Sequence, residues 1–214
     1  MFGLDEKIAA LASSKPLVAL AVALLLGLRH PLDPDHLAAV GAMTRASGER
    51  ARGALIGLTW GLGHATTIVL LGTPLVLWAA VMPEGIQRMI EAIIGAVIVT
   101  LGLRLLLRHG RGSQHPHPHQ PPRSLREAYS VGVVHGAGGS AGIGLLLIAA
   151  IPDEGVALVG LFVFAISTAF AMSAVASGLG SALQRLPARP VGAFTCSFGV
   201  WYLTAAAVGA PYPF

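Results

Sequence analysis

Long apolar segments separated by short polar stretches dominate the pattern of this chain of 214 residues. Each segment is long enough to cross a hydrocarbon core of about 30 Å as an α-helix, since such a crossing takes about 20 apolar residues. The pattern therefore predicts an all-α, polytopic membrane protein with six transmembrane helices in a single transmembrane domain, residues 1–214. The predicted spans are 17–44, 54–82, 86–107, 128–150, 155–183 and 190–210.

One clear interruption, RHGRGSQHPHPHQPPRSLR at 108–126, is rich in His and Pro and divides the domain into two three-span halves, 1–107 and 127–214. Two copies of a unit with an odd number of spans enter the membrane from opposite sides, so a 3+3 duplication would be an inverted repeat. The loop is either an incidental Pro-rich linker or an auxiliary metal-binding loop. Its alternating His and Pro favour an extended form in which neighbouring histidines do not share a face, so no preformed site is expected. The loop histidines are His109, His115, His117 and His119.

Composition and charge agree with a membrane protein. Hydrophobic residues make up 54% of the chain and charged residues 11%, against about a quarter charged in soluble domains. The single cysteine, Cys196, excludes a disulfide framework.

Ten of the 14 Lys and Arg residues fall in the loops after the first, third and fifth spans, which excludes a nucleic-acid-binding stripe. The positive-inside rule then predicts a multi-pass protein of the cell (inner) membrane, with the His-rich loop in the cytoplasm and both termini outside. The lipid bilayer is one partner, and the oligomeric state stays open.

The segment RHPLDPDHLAAV at 29–40 places five ionisable residues in an apolar span. Ionisable residues at membrane depth are costly and indicate a functional site. Imidazole and carboxylate groups together suit a divalent first-row transition metal, and the lack of nearby thiol argues against a copper(I) site. A loop at the membrane surface is the alternative, but it would leave 37–43 too short to cross by itself. The five residues are Arg29, His30, Asp33, Asp35 and His36. Arg29 is expected to pair with Asp33 or Asp35, because its positive charge repels a metal ion.

Pro31 and Pro34 predict that the first helix is broken. Neither proline has an N–H, so the carbonyls of Gly27 and His30 would lose their helical donors and be free. The residues before the prolines, His30 and Asp33, are expected to leave helical geometry. The candidate ligands would then lie where the helix unwinds, as in the midplane ion sites of transporters.

Two further histidines lie at membrane depth. His64 belongs to TWGLGHATTIVLLG at 59–72, where neighbouring glycines would let the second span approach the broken helix. His135 belongs to VVHGAGGSAGIG at 133–144. From the residues alone, each is as well explained by helix packing as by metal binding. Ser140, Thr168 and Ser173 are expected to be packing hydroxyls.

These motifs resemble those of a known family. RHPLDPDHLAAVGAMTR at 29–45 resembles the H-x4-D-H signature of the NiCoT nickel/cobalt transporter family, with His30, Asp35 and His36 at the motif positions. WGLGHATTIV at 60–69 is similar to the L-G-H segment of that family's second signature, which favours a ligand or supporting role for His64. The second half looks more like the shorter six-span nickel permeases associated with urease and hydrogenase maturation.

The resemblance implies a permease for Ni(II) and/or Co(II), with uptake as the expected direction. The predicted metal residues are His30, Asp33, Asp35, His36, His64 and His135. The transported ion is the substrate, no cofactor is required, and the chain is not expected to be an enzyme because no nucleophile and base stand at usable spacing. Two alternatives stay open: a metal exporter that uses the His-rich loop, and a membrane sensor or assembly module that binds metal without transporting it.

Overall fold

The structure is a computed structural model that describes residues 16–44, 50–110, 124–138, 141–183 and 185–209. Within these ranges there are α-helices, a short 3-10 helix and no β-strand, so the predicted all-α fold is confirmed. His115, His117 and His119 of the predicted metal-binding loop lie outside the described residues, as does the side chain of His109. The helices are α1 Pro16–Arg29, the 3-10 helix His30–Leu32, α2 Pro34–Thr44, α3 Arg50–Trp78, α4 Glu84–Gly110, α5 Leu125–Gly136, α6 Gly142–Ala149, α7 Glu154–Leu183 and α8 Ala188–Val208.

Four of the described helices, α3, α4, α7 and α8, are long and apolar enough to cross a membrane. The stretches Pro16–Leu32 and Pro34–Thr44 form a pair bent by 57°, which gives a fifth candidate if the pair is one span. The predicted span at 128–150 is instead divided into α5 and α6, which are 12 and 8 residues long. The described residues therefore contain four or five candidate spans, and the prediction of six is not confirmed.

The first helix is broken at the two prolines. Asp33 has extended geometry, with φ −64° and ψ 142°, as expected for a residue before proline. His30 does not leave helical geometry, because it begins the 3-10 helix. The backbone N–H of Asp33 donates to the His30 carbonyl at 3.1 Å. The prediction of a free His30 carbonyl is therefore wrong, since the tighter turn supplies a donor one residue before Pro34.

Helices α3 and α7 pack closely through small residues. A Cβ on Gly61 would lie 2.7 Å from the Ala169 Cα, and a Cβ on Gly72 would lie 2.6 Å from a Leu161 methyl group. Close approach through such residues is typical of helix pairs in membranes. Since the later residue of α3 meets the earlier residue of α7, the two helices are antiparallel and their carboxyl ends lie at opposite ends of the bundle.

Contacts between the two halves are reciprocal. Gly95 of α4 packs on Leu203 of α8, and Gly199 of α8 packs on Val99 of α4. Gly95 and Gly199 stand 104 positions apart, as do Val99 and Leu203. In the same way, Gly57 of α3 packs on Ala176 of α7, and Gly72 of α3 packs on Leu161 of α7. Gly57 and Leu161 stand 104 positions apart, as do Gly72 and Ala176. Each half therefore presents equivalent positions to the other.

Candidate metal centre

Five polar side chains from four different elements meet at the break of the first helix. They are buried, each at most 4% exposed. Burial of so many imidazole and carboxylate groups is costly unless they are paired or bind an ion. The five are His30 from the 3-10 helix, Asp35 and His36 from α2, His64 from α3 and His135 from α5.

These side chains form two groups of candidate ligands that share His36. One group is His30, His36 and His64, and the other is Asp35, His36 and His135. Within each group the ligand atoms lie within 4.8 Å of one another. The Nε2 atoms of His30 and His64 are 3.0 Å apart. Two nitrogens bound at right angles to one ion, each at about 2.1 Å, would be about 3.0 Å apart. The spacing of this pair therefore suits a single metal ion.

Asp35 connects the first half of the chain to the second. One carboxylate oxygen accepts from His36 Nδ1 at 3.0 Å, and the other accepts from His135 Nε2 at 3.1 Å. Because Nδ1 of His36 donates to Asp35, its Nε2 is left as an acceptor, and this buried atom has no hydrogen-bond partner among the described residues. A buried nitrogen with a free lone pair is costly in a resting protein and is what a metal ion needs.

Asp33 lies outside both ligand groups and contacts two residues of its own turn. It accepts from His30 Nδ1 at 3.1 Å, and its other oxygen lies 3.5 Å from Arg29, whose side chain is 68% exposed. With Nδ1 donating, His30 presents a lone pair on Nε2, so His64 Nε2 donates across their 3.0 Å contact. The His64 Nδ1 is then a buried acceptor without a partner among the described residues. An ion bound by both Nε2 atoms would require His64 to take its other tautomer.

Glycines of α5 bring His135 to the cluster. A Cβ on Gly132 would overlap the Trp60 carbonyl oxygen, and a Cβ on Gly136 would lie 2.6 Å from the His64 carbonyl oxygen. The α5 backbone therefore lies directly against α3. As a result the ring centroid of His135 is 6.1 Å from that of His64.

Apolar rings enclose the cluster. The Trp60 ring is fully buried, with its centroid 5.5 Å from His36 and 5.6 Å from His135. Phe164 covers the other side, at 5.7 Å from His30. Such walls lower the local dielectric and strengthen the interaction of the imidazole and carboxylate groups with an ion.

The predicted packing hydroxyls have different surroundings. Ser173 donates to the Ala54 carbonyl at 2.9 Å, which is a helix-packing bond between α7 and α3. The hydroxyl of Thr168 is buried and has no hydrogen-bond partner among the described residues. Ser140 lies outside the described residues.

Glu91 is a buried carboxylate that was not among the predicted site residues. It is 4% exposed in α4 and accepts a hydrogen bond from Gln87 at 3.2 Å. It could have been predicted from the sequence. A carboxylate inside the predicted span 86–107 is an ionisable residue at membrane depth, which is the reason that Asp35 was selected.

Replacement of Asp33 is a test of its positioning role. We expect Asp33→Ala to lower nickel affinity by about 10-fold to 100-fold, the usual effect of losing the carboxylate behind a ligating histidine. Asp33→Asn keeps an acceptor for His30 Nδ1 and should lose less. Calorimetric titration of both purified variants with nickel measures the difference, and an affinity equal to wild type in Asp33→Ala would contradict the role.

Two known proteins are similar to this chain. Urease accessory protein UreH of Bacillus sp. (strain TB-90) is 24% identical over 172 residues, which are 75% of this chain and 75% of that protein. A high-affinity nickel transport protein of Cupriavidus necator is 38% identical over 94 residues, which are 42% of this chain but 26% of that longer protein. No protein-family model and no solved structure matches. One relative is thus named as a urease accessory protein and the other as a nickel transport protein.

Proposed function

We propose that this protein is a membrane permease for Ni(II), with Co(II) as a second candidate ion, and that the shared cluster around His36 is its ion-binding site. The observation that carries the proposal is the buried group of four histidines and Asp35, in which His36 Nε2 and His64 Nδ1 have no partner among the described residues. Similarity to a nickel transport protein supports metal transport at the general level. The relatives are named as a transport protein and an accessory protein, which agrees with a function other than catalysis.

The donor set is compatible with nickel and cobalt. Imidazole nitrogens with one carboxylate oxygen are borderline ligands, which suit divalent ions from cobalt to zinc. At the same ligands, the usual order of affinity places Ni(II) above Co(II). An entering ion exchanges water for His30, His36 and further groups of the cluster. Protons compete with the ion for the same imidazole nitrogens, so binding should weaken as the pH falls.

The proposed transport cycle moves the two halves against each other. The reciprocal contacts of α4 with α8 and of α3 with α7 support two structurally equivalent halves of inverted orientation. The hydrogen bond that His135 donates to Asp35 joins the halves at the proposed ion site. An ion that replaces this bond would change how the halves are held together, which provides a physical link between binding and movement. The basic loops support the orientation of the protein in the cell membrane. Uptake into the cytoplasm is the direction that the resemblance to nickel/cobalt transporters implies.

Sealed vesicles distinguish a permease from a membrane sensor. Purified protein in vesicles that contain a nickel-sensitive dye should load nickel down its gradient, whereas a sensor would bind nickel and load none. We expect His64→Ala to reduce loading about 10-fold or more, because one ligand of the buried set is lost. Leu70→Ala is the matched control on the same helix, since Leu70 is 66% exposed on the outside of the bundle.

The same vesicles define the ion. Cobalt, zinc and manganese are offered in parallel with nickel, and nickel or cobalt should load fastest. Binding of nickel by the wild-type protein without loading would contradict the permease and favour the sensor.

A further inference from the structure

Two apolar chambers lie at opposite ends of the bundle. The first, of about 420 Å³, lies at the carboxyl end of α3 and the start of α4. The second, of about 380 Å³, lies at the carboxyl end of α7 and the start of α8. Because α3 and α7 are antiparallel, these two locations are on opposite sides of the bundle.

The chambers are equivalent under the relation that connects the two halves. In the first chamber, Leu75, Met82, Ile86 and Gln87 stand 104 positions before Leu179, Leu186, Pro190 and Val191 of the second. On the other wall, Gly142 and Leu146 of the first chamber stand 105 positions after Leu37 and Gly41 of the second. Two unrelated packing defects would not share this correspondence.

Each chamber extends from exposed residues to a residue that neighbours a candidate ligand in the chain. The first begins at Val81, which is 72% exposed, and reaches Gly136, the neighbour of His135 in the chain. The second begins at Leu186, which is 50% exposed, and reaches Pro34, the neighbour of Asp35. One residue beside the candidate metal centre in the chain therefore lines each chamber.

Each chamber is large enough for a hydrated ion. Six waters occupy roughly 180 Å³ at about 30 Å³ each, which is less than either volume. Walls without charged ligands would let such an ion pass without binding it tightly.

Near the inner end of the first chamber, the face of α4 that carries Gln87 also carries Glu91 and Ile94. Gln87 lines the chamber, and Ile94 would contact a Cβ on Gly138, which also lines it. Glu91 therefore lies on the same helix face as two residues at this wall.

We propose that the two chambers are the two access routes of the ion to the metal centre, one from each side of the membrane. This inference rests on the proposed function. In the orientation that the basic loops predict, the first chamber faces outside and the second faces the cytoplasm. When the halves move, the open route closes and the other route opens. In its open state, each route admits water from its own side of the membrane.

Single cysteines test the routes. In a Cys196→Ala background, Leu75→Cys and Leu179→Cys place one thiol at equivalent positions of the two chambers. A charged, membrane-impermeant thiol reagent is applied to whole cells and, separately, to inside-out vesicles. We expect Leu75→Cys to react from the outside and Leu179→Cys from the cytoplasmic side, and each modification to reduce nickel loading at least 10-fold. Met82→Cys and Leu186→Cys, nearer the mouths, replace this pair if either variant fails to fold.

Leu70→Cys and Phe170→Cys are the matched controls, because these residues are 66% and 63% exposed on α3 and α7 and line neither chamber. They should not react with the charged reagent in a membrane. Reaction of both chamber cysteines from one side overturns the inference, and so does the absence of reaction, which would mean that lipid fills the chambers. Because labelling is measured without nickel, failure of the routes and failure of nickel transport give separate results.

Discussion

His36→Ala should remove nickel binding and nickel loading together. His36 belongs to both groups of candidate ligands, so its loss leaves each group with two members. Its Nδ1 is held by Asp35 at 3.0 Å, which fixes the ring so that Nε2 faces the cluster. Loss of a supporting carboxylate typically costs 10-fold to 100-fold in affinity, and loss of a ligand common to both groups should cost at least about 100-fold.

His135→Ala is the matched comparison for His36→Ala. His135 belongs to one group only, so the set of His30, His36 and His64 stays intact. We expect a smaller loss of affinity in His135→Ala than in His36→Ala, but a clear loss of loading, because the bond from Asp35 to the second half is gone. Nickel titration of the purified variants measures affinity, and vesicle loading measures transport.

Folding must be controlled in both variants, because each truncation leaves a cavity in a buried site. The thermal unfolding of the metal-free proteins in detergent provides this control, and His36→Gln retains more of the side-chain volume. If folded His36→Ala and His36→Gln both bind nickel as wild type does, the cluster is not the ion site. If His135→Ala loses as much affinity as His36→Ala, the second group and not the first dominates binding.

The long helices could be predicted from the sequence because a membrane crossing imposes a minimum apolar length. The predicted spans 155–183 and 190–210 differ from α7 and α8 by at most two residues at either end. The division of the fourth segment into α5 and α6 was not predicted. Glycines such as Gly136 and Gly142 weaken a helix by about 1 kcal/mol each, but glycine is also common in intact membrane helices. Its presence alone therefore does not distinguish a packing surface from a break.

Spacing grouped the parts of the cluster that are close in sequence. The distant histidines, His64 and His135, could be predicted as candidates, but their approach to the other ligands could not. His30, Asp35 and His36 stand together around two prolines, so their grouping follows from the chain itself. His135 is 100 residues from Asp35, and its position depends on how closely α5 packs against α3. That approach is set by backbone contacts at Gly132 and Gly136, which a hydrophobicity pattern does not reveal.

Gly132→Ala tests whether the close approach of α5 to α3 builds the site. The added Cβ would overlap the Trp60 carbonyl oxygen and lie 2.9 Å from the His64 nitrogen. Both are backbone atoms, which cannot rotate away as a side chain does, so α5 must shift outward. Overpacking of this kind costs about 1–3 kcal/mol. For a domain of this size, that corresponds to a decrease in unfolding temperature of about 2–12 °C.

The same shift should also weaken the metal site, because it moves His135 away from Asp35 and His64. We therefore expect Gly132→Ala to lower both the unfolding temperature and nickel loading. Gly178→Ala is the matched control: nothing lies within 4 Å of an added Cβ in α7, and alanine favours the helix over glycine. It should unfold at or above the wild-type temperature and load nickel normally. Wild-type unfolding and loading in Gly132→Ala would mean that the site tolerates a wider separation of α3 and α5, and that its histidines are not positioned by this contact.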